Sequence, residues 1–191
     1  MRRAVFALTL VAALAFAAPS LADSGKLRVN PFVYDPGNTG IIVSAWQPGA
    51  GLADAGGSNH GLVLQKNGLT ATDAATGATV TGAEGQTLSE IGFDVTGHCG
   101  AGSPRFDVFD QNGIDHFFGC VYGAHTPIAG APGWERVRQT GADAFPPMLP
   151  TDTISAIYII ADEGTDQGTG QSVVDNVDVN GTLVGKPGNS K

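Results

Sequence analysis

The chain has 191 residues, 42% of them hydrophobic and 15% charged, with 28 Gly, 11 Pro and 2 Cys. That suits one globular core and excludes both a disordered chain and a disulfide-dense scaffold. Ten Lys and Arg against 18 Asp and Glu leave a formal charge of -8, so the field needed to attract a phosphate polyanion is missing and no nucleic-acid partner is expected.

Residues 1–22 read as a signal peptide. Met1-Arg2-Arg3 is basic, residues 4–18 are an almost unbroken apolar run, and Ser20-Leu21-Ala22 places small residues where a signal peptidase reads them. The run falls short of the roughly 20 residues that cross a bilayer, and no later window reaches that length, so no membrane span is expected after cleavage. The first thiol is Cys99, which leaves no acylation site behind the apolar run. The expected location is secreted or periplasmic.

Beyond residue 22, Gly, Pro, Asn and Asp recur about every eight to twelve residues, and the segments between them are β-branched, aromatic or alternating. Strands are expected over residues 26–34, 40–46, 60–66, 79–81, 88–95, 105–109, 116–122, 134–139, 153–161 and 172–179. The fold class is all-β: an antiparallel two-sheet β-sandwich of the jelly-roll type, one domain over residues 23–184. Residues 88–95 place Ile91, Phe93 and Val95 on a packing face and Gly92 and Asp94 on a face that meets water. Residues 105–118 read as a hairpin whose Asn112-Gly113 suits the positive φ angles of a type I′ turn. Residues 48–58, 70–85, 130–133 and 145–150 are expected loops. Residues 185–191 carry no large apolar side chain and are expected to form a disordered tail.

Cys99 and Cys120 are expected to pair, because an even number of thiols in an exported protein is normally oxidised. The cystine would close a loop of roughly 20 residues and add about 3 kcal/mol. A competing reading gathers the two thiols with His98, His116 and His125 around zinc, but no C-x-x-C or H-x-x-x-H module supports it. Residues 162–170 are acidic and Gly-rich, so Asp162, Asp166 and Asp175 are the candidate oxygen ligands for calcium, the one cofactor in view. The EF-hand pattern fails there, since Val173 stands where a bidentate carboxylate belongs, and a solvated turn competes with the metal reading.

No G-x-S-x-G, H-E-x-x-H, P-loop or dinucleotide fingerprint occurs. Asp94 with Asp107, or Glu163 with Asp175, could be the paired carboxylates of a glycosidase, but any acid-rich chain offers such pairs, and Ser58 with His60 lacks an orienting partner. The expectation is a non-catalytic protein. Its candidate ligand-binding residues are the aromatics Trp46, Tyr122 and Trp134, whose flat faces suit sugars, with Arg105, Asp107 and Asn176 as hydrogen-bonding groups. Core packing competes for the tryptophans. Arg136 and Arg138 share one face of a strand and are expected to pair with the acidic surface. Asn180-Gly181-Thr182 is both a glycosylation sequon and a turn sequence.

From residue 59 to 184 the chain resembles exported bacterial jelly-roll proteins similar to galactose-binding-like and other carbohydrate-binding modules. The resemblance is carried by Gly61-Leu62-Val63-Leu64-Gln65-Lys66, residues 88–94, Gly102-Ser103-Pro104-Arg105-Phe106, Gly133-Trp134, Ile157-Tyr158-Ile159-Ile160-Ala161-Asp162 and the closing residues 173–181. It implies binding of a glycan or other cell-surface ligand, a structural calcium in some relatives, and an Asp175-Asn176 pair that bonds to loop backbone. An extracellular interaction protein without a small ligand is the alternative, and a glycoside-acting hydrolase the third.

Overall fold

The computed structural model describes residues 26–54, 57–186 and 189–190; the expected signal segment lies outside them. The strands are β1 (Arg28–Tyr34), β2 (Ile42–Gln47), β3 (Gly61–Lys66), β4 (Ala75–Thr81), β5 (Ile91–Gly97), β6 (Arg105–Asp110), β7 (Asp115–Gly119), β8 (Ala124–Pro127), β9 (Glu135–Gln139), β10 (Ile154–Ala161), β11 (Gln171–Val179), β12 (Thr182–Lys186) and β13 (Asn189–Ser190). A five-stranded front sheet runs β1-β4-β10-β6-β7, and an eight-stranded back sheet runs β13-β12-β11-β5-β9-β8, with β3 also paired to β11 and β2 paired to β3. Both sheets are antiparallel. The chain is the two-layer β-sandwich that its alternation predicts.

Period-two patterning puts every second side chain into the space between the layers. Val80, Phe106, Val108, Phe118, Ile157 and Ile159 of the front sheet meet Leu62, Leu64, Ile91, Phe93, Val137, Val174 and Val179 of the back sheet in one buried cluster. The Phe93 and Phe106 rings, 5.1 Å apart, join the two layers. At the margin of the front sheet, β1 carries Pro31, opposite Ala78 of β4; proline suits an edge because it has no N–H to offer a further strand.

Several expectations are corrected. Residues 70–85 are not all loop, because β4 lies between β1 and β10. Its small residues reflect close approach: a Cβ on Gly77 would stand 2.2 Å from the Ile159 carbonyl oxygen and 2.8 Å from the Phe32 ring. In the β6–β7 connection only Gly113 takes a positive φ, 78°. The Asp110 carboxylate accepts from the backbone N–H groups of Asn112 and Ile114, both at 2.8 Å, so a longer, side-chain-held loop replaces the type I′ turn. The type I′ pair is instead Asn180 and Gly181, with φ of 54° and 81°, joining β11 to β12. Gly185 and Lys186, expected in a disordered tail, complete β12, and Asn189 and Ser190 pair back onto it.

β11 changes neighbours midway. Residues Gln171 to Val174 pair with β3, and Val177 to Val179 pair with β12, while β5 lies along the other side. Between them Asn176 adopts φ 45° and the register shifts, as a bulge requires.

Candidate functional site

Alternation sends Arg105, Asp107 and Phe109 of β6 to the outer face of the front sheet while Phe106 and Val108 enter the core. Register places Asp107 beside Phe117 of β7 and Tyr158 of β10. Phe32 and Phe109 each meet Tyr158 edge-on, with centroids 6.4 and 6.0 Å away. The face is therefore aromatic on both sides of an ionic centre.

Arg105 is that centre. Its Nε donates to Asp107 Oδ1 at 2.7 Å, its Nη2 to Asp107 Oδ2 at 3.3 Å, and its Nη1 to Asp162 Oδ2 at 2.8 Å and to the Gly102 carbonyl at 2.7 Å. Its guanidinium lies 5.8 Å from the Phe117 ring centroid, within cation–π range. Burial pushes the Asp107 carboxyl up to about 6; Arg105 opposes the shift, and Asp115 and Asp162 add to it.

Two depressions adjoin at Gly102. The apolar one, about 640 Å³, is lined by Phe117, Tyr122, Ala144 and Phe145. The polar one, about 570 Å³, is lined by Tyr34, Lys66, Thr72, Arg105, Asp162 and Glu163. Phe145 is 79% exposed, Tyr122 66%, Tyr34 52% and Phe117 39%. Flat apolar faces thus stand open to solvent on both sides of fixed polar groups, the composition that small-ligand clefts use.

The walls are pinned. The Cys99–Cys120 disulfide draws residues 99–102 against the end of β7, so tightly that a Cβ on Gly119 would lie 2.1 Å from the Ala101 carbonyl oxygen. Glu163 accepts from the Gly102 N–H at 3.2 Å and binds His98 Nε2 through its other oxygen. On the far rim, Lys66 is 1% exposed and its ammonium donates to the Thr70 and Thr72 carbonyls at 3.0 and 2.6 Å.

Of the sequence-expected ligand residues, Arg105, Asp107 and Tyr122 come to this face. Trp46 packs against the core, its indole N–H donating to the Val29 carbonyl at 3.1 Å. Trp134 lies on the back sheet beside a separate depression of about 350 Å³ with Thr96, Pro127 and Glu135. Asn176 is buried and donates to Asp94 Oδ2 at 2.7 Å. The three calcium candidates serve different contacts: Asp162 binds Arg105, Asp166 accepts from the Thr70 N–H and hydroxyl, and Asp175 accepts from the Leu52 N–H. Of the Asp175-Asn176 pair expected to bond to loop backbone, Asp175 does so, whereas the Asn176 side chain goes to Asp94. The cystine consumes the thiols of the Cys/His zinc reading. Asp94 and Asp107, one possible hydrolytic pair, lie on different sheets.

Sequence reading passed over Phe117 and Phe145, and it named Glu163 only as a possible hydrolytic partner of Asp175, whereas Glu163 holds His98 and the Gly102 N–H. Phe117 left a usable trace: adjacent Phe117 and Phe118 on one strand must face opposite sides, so one of them is outside. Phe145 stands beside two prolines in a loop, where no periodicity assigns it a face.

No protein-family sequence model matches the chain, and no curated protein sequence does. Among solved structures it is similar to the family 11 carbohydrate-binding module of the cellulosomal cellulase Lic26A-Cel5E of Clostridium thermocellum, at 15% identity and TM-score 0.49, over 85% of this chain and 92% of that one. A family 11 module from Clostridium thermocellum in complex with a β-1,3-1,4-mixed-linked tetrasaccharide aligns at 15% identity and TM-score 0.47, covering 84% of this chain and 90% of that one. The enzymatically active domain of bacteriophage CBA120 tailspike protein 4 aligns at 12% identity and TM-score 0.45, over 85% of this chain and 20% of that one.

Proposed function

We propose that this chain is a non-catalytic glycan-binding protein of the cell exterior and that its ligand lies across the two adjoining depressions of the front sheet. The observation that carries the reading is the set of exposed rings, Phe117, Tyr122, Phe145 and Tyr34, standing around the Arg105–Asp107–Asp162 centre. Pyranose rings present apolar C–H faces that stack on aromatics and hydroxyls that seek fixed donors and acceptors. The formal charge of -8 favours a neutral polysaccharide over a polyanionic one. A cystine persists in the oxidising exterior that the N-terminal segment implies.

Affinity electrophoresis through soluble mixed-linkage β-glucan, xylan and mannan tests the reading. The native protein is retarded by at least one of these, and Phe145→Ala with Tyr122→Ala removes most of the retardation while leaving the unfolding midpoint in place. Retardation unchanged by those substitutions, or by Arg105→Ala, overturns the site; none with any glycan overturns the class.

One observation favours turnover as a second reading. An aspartic acid pushed up to about 6 can donate a proton near neutrality. Both Asp107 oxygens are held by Arg105, so that proton has no free path to a leaving group. Reducing ends released from the retained glycan, and lost in Asp107→Asn, would establish turnover.

A further inference from the structure

At the end of β6 away from the depressions, Asp110, His116 and Asp152 turn polar atoms toward one point, each within 4.8 Å of the others. All three are secluded, at 1%, 2% and 9% exposure. His116 Nδ1 stands 2.8 Å from the Pro146 carbonyl oxygen; a carbonyl only accepts, so Nδ1 carries the proton and donates it. In the neutral ring Nε2 is then a bare lone pair. It is buried without a hydrogen-bond partner and faces Asp110 Oδ2 at 3.9 Å, too far for a hydrogen bond. Asp110 Oδ2 receives the Asn112 side-chain amide at 3.1 Å, and Asp152 Oδ1 receives the Gln111 side-chain amide at 3.2 Å, so each oxygen keeps a lone pair to spare.

A lone pair and two carboxylates facing one another in a buried corner repel unless something positive stands between them. We propose that Asp110, His116 and Asp152 form a binding site for a first-row divalent cation, with zinc the best match. The imidazole donor argues against calcium and magnesium, which take oxygen, and the absence of thiolate from the set leaves the open three-ligand pattern of mixed nitrogen and oxygen donors. Tetrahedral zinc bonds of about 2.0 to 2.2 Å put two donors roughly 3.3 to 3.6 Å apart, so the group, within 4.8 Å in this structure, closes on an ion with a shift of at most about 1.5 Å at the widest pair.

The outer partners are already in place. Pro146 fixes the histidine tautomer, and the Asn112 and Gln111 amides orient the carboxylates. A bound ion would tie the β6–β7 hairpin to the residue 146 segment and to the start of β10. The inference is independent of the glycan reading, because its ligands line neither depression.

The test uses the full chain stripped with a chelator and titrated with zinc chloride by calorimetry, with cobalt(II) as a spectroscopic substitute. One ion binds per chain, the unfolding temperature rises with zinc, and cobalt(II) develops visible absorption bands. His116→Gln and Asp152→Asn each weaken binding on the order of 100-fold or more and abolish the bands, whereas His125→Ala leaves both unchanged. Asp152→Asn retains an acceptor for the Leu149 N–H that Asp152 caps at 2.8 Å, so it decides the matter if His116→Gln does not fold. No saturable binding, or binding that survives both ligand variants, overturns the site.

Discussion

Arg105 on the front sheet and Arg136 with Arg138 on the back sheet each hold aspartates on an outer face, yet the two clusters differ in what surrounds them. On the back sheet Asp94 is fully buried; Arg136 Nε and Nη2 donate to it at 2.9 and 3.2 Å, and Asn176 adds a third bond at 2.7 Å. Arg138 Nε stands 3.0 Å from Asp178 Oδ2. These contacts stitch β9, β5 and β11 together. On the front sheet Arg105 holds Asp107, two residues away, Asp162 just past the end of β10 and the Gly102 carbonyl, and its neighbours are open rings. The first cluster is mortar, while the second is the floor of a cleft. Similar chemistry ties three strands together in one place and, on the proposed reading, meets a ligand in the other.

The widest contrast comes from deleting one member of each. Asp94→Ala takes the acceptor from three donors of Arg136 and Asn176 and costs about 3 kcal/mol in urea unfolding; Arg105→Ala costs about 1 kcal/mol, because the Asp107 carboxyl can take up a proton, but it ends glycan retention. Equal stability losses would collapse the distinction. Next, Cys99→Ser with Cys120→Ser lowers stability by about 3 kcal/mol through the freed loop and also weakens retention, since residues 99–102 form the cleft wall; unaltered retention would show that the wall stands without the cystine.

A smaller effect separates the clusters by pH. Asp107, faced by Arg105, Asp162 and Asp115, has a folded value of about 6 against 3.8 ordinarily, so folding favours its protonated form. Its contribution is complete below about pH 4 and is lost as pH rises through about 6. Asp107→Asn therefore gains about 1 to 2 kcal/mol on the native protein between about pH 4 and pH 7, read from urea midpoints across that range; parallel curves would refute the burial argument. Smallest of all, Phe145→Ala changes stability by less than about 0.5 kcal/mol, as an exposed side chain should, and acts on binding alone.

The strands were readable where one face is apolar, as in residues 88–95. The far side of that strand was misread: Asp94 meets arginines, not water, because sequence alternation reports which side is polar and not what lies over it. β4 was found only at its end, residues 79–81, because Ala75 to Thr81 contains no large side chain until Val80, although Gly77 is small so that Phe32 can lie across it. Arg105, Asp107 and Tyr122 were legible as residue types suited to sugars. Their joining with Phe145 and Glu163 was not, since those come from loops more than 20 positions away in the sequence, in a chain whose contacts are mostly long-range. Trp46 illustrates the converse, as its indole satisfies a backbone carbonyl of β1 inside the fold.

β11 bears on how the molecule is made. It borders β5 on one side and β3, then β12, on the other, so the back layer cannot assemble until residue 179 has emerged from the ribosome. That dependence makes β11 the latch of the back layer, with β12 and β13 added at its margin.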